Sequence, residues 1–137
     1  RGPWDMGIFF PPCTHLAVSG AKWFKNKVVE QREAIHFCRD LMESNIEKIA
    51  MENPIGVLST YYRKPDQIIQ PWQFGHPETK ATCLWLKNLP LLVPTNILPP
   101  PYHARVHRMP PGPNRARDRS ATLGGIAAAM AQQWGNA

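Results

Sequence analysis

Trp4-Asp5-Met6-Gly7-Ile8-Phe9-Phe10-Pro11-Pro12-Cys13 and, about 40 residues on, Lys48-Ile49-Ala50-Met51-Glu52-Asn53-Pro54 frame the fold. Trp4 to Phe10 is a nearly continuous apolar run, the pattern of a short strand covered on both faces. Pro11-Pro12 ends it, because proline has no N–H to give to a strand ladder. Cys13 to Gly20 then forms a loop at the carboxyl end of that strand, the edge where open α/β sheets take their ligands. Lys48 to Glu52 repeats the pattern and stops at Asn53-Pro54. Between the two, Lys25 to Glu43 carries Val28, Ile35, Cys38, Leu41 and Met42 at helical spacing with charges filling the other face. Strand, helix, strand in this order predicts a right-handed crossover and a parallel pair. Both strands then end on one edge, and Cys13 and Glu52 become neighbours.

Outward from this frame the signals thin. Gly56 to Tyr62 fits a short helix or a strand alike. Lys64 to Pro77 is polar, aromatic and broken by proline, as an ordered loop would be. Thr82 to Leu86 has the character of another strand. Residues 90–113 hold eight of the fifteen prolines and read as an extended, irregular arm, with Arg105, Arg108, Arg115, Arg117 and Arg119 along it or just beyond. Thr122 is placed to cap a last helix whose Ile126, Met130 and Trp134 share one face. No internal repeat is present.

At 137 residues, 43% hydrophobic and 19% charged, the chain suits one globular domain rather than a disordered segment. It has no apolar run near the ~20 residues of a bilayer span and no signal-peptide pattern, so a cytoplasmic protein with no membrane partner is expected. It opens on Arg1 and runs into a strand almost at once, which suggests a fragment or a processed chain. Three widely spaced cysteines, at 13, 38 and 83, argue against a disulfide framework, and the lack of a CxxC pair against structural zinc. Residues 1–60 hold seven Lys/Arg and seven Asp/Glu, whereas 61–137 hold nine and three, so the whole +6 lies in the second half. A one-sided basic surface suits a polyanion such as DNA or RNA, with a solvated basic face as the plainer alternative.

Two local features carry chemistry. A cysteine on a proline-stiffened turn is held rigidly at the sheet edge, where its thiolate can attack an electrophilic carbon; the plainer alternative is a small buried hydrophobe. A carboxylate at the end of a buried strand is costly unless paired or used, so Glu52 is either a structural partner or an acid that hydrogen-bonds a ring nitrogen. Of the histidines, His15 sits two residues from Cys13 and reads as a loop residue. His76, His103 and His107 show no ligand spacing. Among the tryptophans, core residues by default, Trp72 and Trp85 are the two suited to stack on a base.

Taken together, Pro11-Pro12-Cys13, the Ser19-Gly20 element, a helix and Glu52-Asn53-Pro54 resemble the cytosine-5 DNA methyltransferase family. Ile55-Gly56-Val57-Leu58-Ser59 is similar to the family's continuation. The stretches Arg63-Lys64-Pro65-Asp66-Gln67, Trp72-Gln73-Phe74-Gly75-His76 and Trp85-Leu86-Lys87 look like a phage- and prophage-borne branch, of the kind met in restriction-modification. The resemblance covers nearly the whole chain and is most specific up to about Pro94.

The resemblance implies an α/β fold: a partial Rossmann-like methyltransferase fold with a mostly parallel sheet, plus a Pro-rich basic arm and a C-terminal helix. It divides the chain into a partial catalytic domain over 1–98 and the arm and helix over 99–137. It implies a flipped-out cytosine in double-stranded DNA, Cys13 as nucleophile at carbon 6, Glu52 on the ring nitrogen and amine, and Arg63 as the family's arginine. Pro12, Ser19 and Asn53 would shape the substrate loop. S-adenosylmethionine is the implied cofactor, its Gly-rich motif lying upstream of Arg1, so this piece is expected to be inactive alone; no metal is implied. A thymidylate-synthase-like nucleotide methylase and a non-catalytic nucleic-acid-binding remnant are the alternatives. A zinc-dependent base deaminase is set aside because its His-x-Glu and Pro-Cys-x-x-Cys motifs do not occur.

Overall fold

The computed structural model describes residues 4–12, 28–102 and 123–135. The elements are β1 (Met6–Phe9), α1 (Val28–Met42), β2 (Lys48–Pro54), α2 (Leu58–Tyr61), β3 (Gln67–Ile69), a 3-10 turn (Pro71–Gln73), β4 (Thr82–Lys87) and α3 (Gly124–Trp134). The strands form one four-stranded sheet in the order β1-β2-β4-β3.

The expected parallel pair is present, with α1 lying between its two strands in sequence. β1 and β2 are parallel, from Met6↔Lys48 to Phe9↔Met51. The sheet as a whole is not mostly parallel, however. β4 lies antiparallel to β2, from Ile49↔Lys87 to Pro54↔Thr82, and β1–β2 is the one parallel pair. A parallel return usually runs through a helix packed on the sheet, and the segment between β2 and β4 holds only the four-residue α2, β3 and a 3-10 turn. The chain therefore places β3 outermost and turns back through β4. The Lys64–Pro77 stretch, expected as a loop, contains β3 and the 3-10 turn. The undecided 56–62 stretch forms α2, and α3 is capped at Leu123 without a side-chain bond, one residue later than expected. Residues 90–102 hold no helix or strand; the rest of the arm lies outside the described residues.

Two compact units make up the chain, 1–68 with 82–91, and 69–81 with 92–137. In the first, strand alternation turns Ile49, Met51, Cys83 and Trp85 to one face of the sheet. There they pack with Cys38 and Met42 of α1 and with Leu58, all buried. Each such apolar side chain contributes about 1.5–3 kcal/mol on burial. Trp85 is fully buried, and its indole N–H donates to the Arg63 carbonyl at 2.8 Å. The loop from α1 to β2 is fastened by Lys87, whose Nζ donates to the Ser44 and Ile46 carbonyls at 2.7 and 2.9 Å.

In the second unit, α3 buries Ile126, Met130 and Trp134, the face expected from their spacing, and Ala129 with them. The Gln133 side-chain amide pairs with both backbone groups of Val93, at 2.7 Å to the N–H and 2.8 Å to the carbonyl. At the start of α3, Gly125 donates its N–H to His76 Nε2 at 2.9 Å. A Cβ on Gly125 would stand 2.1 Å from the Phe74 carbonyl oxygen, so only glycine allows this approach.

Candidate active site

Parallel pairing carries the end of β1 to the end of β2. Continuing the register beyond Phe9↔Met51 sets Phe10 opposite Glu52 and Pro11 opposite Asn53. Asn53 is 1% exposed, and its Nδ2 donates to the Pro11 carbonyl at 3.0 Å. This hydrogen bond ties the Pro-Pro turn to the Glu-Asn strand end. Asn53 Oδ1 is buried with no partner, and a buried polar atom without one calls for an explanation. Pro11 is buried, whereas Pro12 is exposed. Cys13, His15 and Ser19 lie outside the described residues.

Glu52 points away from the face that packs on α1, since strand side chains alternate. On its own face the directly opposite residue is Leu84, and Thr82 is the diagonal neighbour. Diagonal pairs across an antiparallel ladder are within reach of long side chains. The Thr82 hydroxyl donates to Glu52 Oε1, and Thr82 is 6% exposed. Sequence reasoning did not single out Thr82. The available signal was a polar residue heading the otherwise apolar strand Thr82-Cys83-Leu84-Trp85-Leu86.

Cys83, next in line, faces the core. Burial first, and then the nearby Glu52 charge, push its thiol up to about 11. Burial pushes the Cys38 thiol up to about 11 as well. Both are protonated at neutral pH and are poor nucleophiles.

Arg63 is engaged elsewhere. Its Nη1 contacts Asp66 Oδ2 at 3.1 Å, and its Nη2 donates to the Leu86 carbonyl at 3.3 Å. Burial would lower its pKa, but hydrogen bonds and charge from Tyr62 and Asp66 outweigh this and raise it above the ordinary value. Leu86 pairs with Ala50, two residues before Glu52, so Arg63 reaches the sheet about 7 Å back from the strand end that carries Glu52. The structure brings Asn53, Glu52, Thr82 and the Pro11-Pro12 turn together; Arg63 is not among them.

Other expected features separate in the same way. Trp85 is enclosed in the core, out of reach of a base. Trp72 is half-buried and stacks on Tyr102, with ring centroids 5.2 Å apart and planes 4° from parallel. His76 serves α3, as described. The arginines beyond residue 102 lie outside the described residues. A groove of about 480 Å³ runs beside β1 and α1, with Trp4, Met6, Ile8, Phe37 and Leu41 among its lining and Asp40 and Ser44 its polar side chains. S-adenosylmethionine carries an ammonium, a carboxylate and a ribose, and needs several convergent polar partners. The described residues do not fit it. Among the described residues no group of three or more His, Cys, Asp or Glu is gathered to hold a metal, and no helix is long and apolar enough to cross a membrane. In comparisons with known proteins the chain matches no family model, no curated protein and no solved structure.

Proposed function

We propose that this chain is the pyrimidine-handling part of an enzyme that methylates cytosine at carbon 5 in double-stranded DNA. The observation that carries the reading is the Asn53 hydrogen bond to the Pro11 carbonyl, which joins the strand end before Cys13 to the strand end bearing Glu52. A nucleophile and an acid can then act on one ring from adjacent strand ends.

On this reading the Cys13 thiolate adds to carbon 6, forming the C–S bond, and the ring's double-bond electrons move toward carbon 5. Glu52 gives a proton to ring nitrogen 3 and accepts from the exocyclic amine, which makes carbon 6 electrophilic in the step where it is attacked. Carbon 5 becomes nucleophilic toward a methyl donor. Once carbon 5 carries the methyl group, a water takes the carbon 5 proton, the C–H electron pair re-forms the carbon 5–carbon 6 double bond, and the C–S pair leaves with the Cys13 thiolate. S-adenosylmethionine is the methyl donor that the resemblance implies. The +6 charge, carried wholly by residues 61–137, supports a polyanionic substrate.

The test uses the full-length protein with S-adenosylmethionine and duplex DNA bearing 5-fluorocytosine. Fluorine at carbon 5 blocks the final elimination and should trap a covalent protein–DNA adduct, which Cys13→Ser abolishes. A folded, cofactor-binding protein that forms no adduct across a broad DNA pool would instead favour a free-nucleotide methylase or a binding protein without catalysis.

A further inference from the structure

Resting on the cytosine reading, we infer that Thr82 is a positioning residue that fixes which oxygen of Glu52 delivers the proton and which accepts the amine. The Thr82 hydroxyl donates to Oε1. Oε1 is thereby an acceptor, and the proton that Glu52 passes to ring nitrogen 3 travels on Oε2. Cytosine presents an acceptor nitrogen beside a donor amine. A carboxyl with its proton on Oε2 and an accepting Oε1 complements that edge, whereas uracil presents an N–H beside a carbonyl and is mismatched at both. The hydroxyl thus selects the carboxyl's orientation as well as holding its side chain.

Three features support an assigned role over an incidental contact. Thr82 is 6% exposed, so its hydroxyl has little access to water. Its position is set by the β2–β4 register, in which Pro54↔Thr82 closes the ladder at the same edge that carries Glu52-Asn53. Arg63, which the resemblance implies for this neighbourhood, is instead held by Asp66 and the Leu86 carbonyl. The short polar group at position 82 supplies the donor that a long cation would otherwise supply.

The experiment compares the full-length wild type with Thr82→Val and Thr82→Ser. The first readout is the titration of the Glu52 carboxyl carbon by carbon-13 NMR, which needs no catalysis. Removing a hydrogen bond to the charged form moves that titration upward, by about one pH unit for Val; Ser restores it. The second readout is single-turnover methylation against pH. Val lowers the rate by about tenfold and moves the limb governed by Glu52 in step with the NMR shift, and Ser recovers the wild-type profile. An unchanged titration in Val, or a Ser variant that behaves as Val does, overturns the assignment, the latter because packing rather than the hydroxyl would then be responsible. If wild type neither methylates nor traps 5-fluorocytosine, the cytosine reading fails by itself, and the NMR arm still decides whether Thr82 governs Glu52.

Discussion

Asn53 has the most to lose from a single change. It is the buried donor that holds the Pro11 carbonyl, and Asn53→Ala removes that donor while leaving a buried carbonyl unsatisfied. A loss of about 1–3 kcal/mol in urea unfolding is expected. Arg63→Ala should cost less, about 1 kcal/mol at most by the same measurement, because the Asp66 pair is more than a third exposed on both sides. How much of this was legible in the sequence differs residue by residue. Glu52 stood out because a carboxylate at the end of an apolar strand needs a partner, and Asn53 stood beside it as part of the Glu-Asn-Pro strand end. Thr82 did not, because its partnership depends on the register and direction of a strand that sequence alone leaves open. Arg63 rests on the family resemblance alone, and an ion pair three residues along, at Asp66, holds it elsewhere.

At the scale of elements, β1 and β2 were legible as apolar runs ended by proline, and α1 by its helical spacing. β3 was not: three residues, of which only Ile69 is buried, leave no pattern to read. The direction of β4 was not legible either, because it goes with a connection that lacks a crossover helix, a property of the segment between the strands rather than of the strand itself. The start of α3 offers a sharp test. His76→Ala removes the acceptor for the Gly125 N–H and should weaken the first turn by about 1 kcal/mol, as loss of a cap does. Faster amide hydrogen exchange confined to the start of α3 would report it. Gly125→Ala should do more damage, about 2 kcal/mol or above, because the new methyl meets the Phe74 carbonyl rather than a yielding side chain. An Ala variant as stable as wild type would show that the turn at Phe74 can give way.

For the molecule as a whole, the core between α1 and the sheet contains two thiols, Cys38 and Cys83, both pushed up to about 11. The fold binds their protons more tightly than the unfolded chain does. Their contribution to stability is intact below about pH 9 and is lost as pH rises toward 11, on the order of 2–3 kcal/mol for each. The urea midpoint should therefore fall across that window, and Cys83→Ala should flatten the fall. The Gln133 pairing with Val93 has a consequence of another kind. The two are 40 residues apart, and on a ribosome adding about 5–20 residues per second Val93 is joined to the chain some seconds before its partner is. During that interval the stretch has its bonds to residues made earlier, among them those of the Thr95, Asn96 and Leu98 N–H groups to the Gln73 and Trp72 carbonyls. A premature stop codon that removes only the last turn of α3 would leave it in that condition permanently.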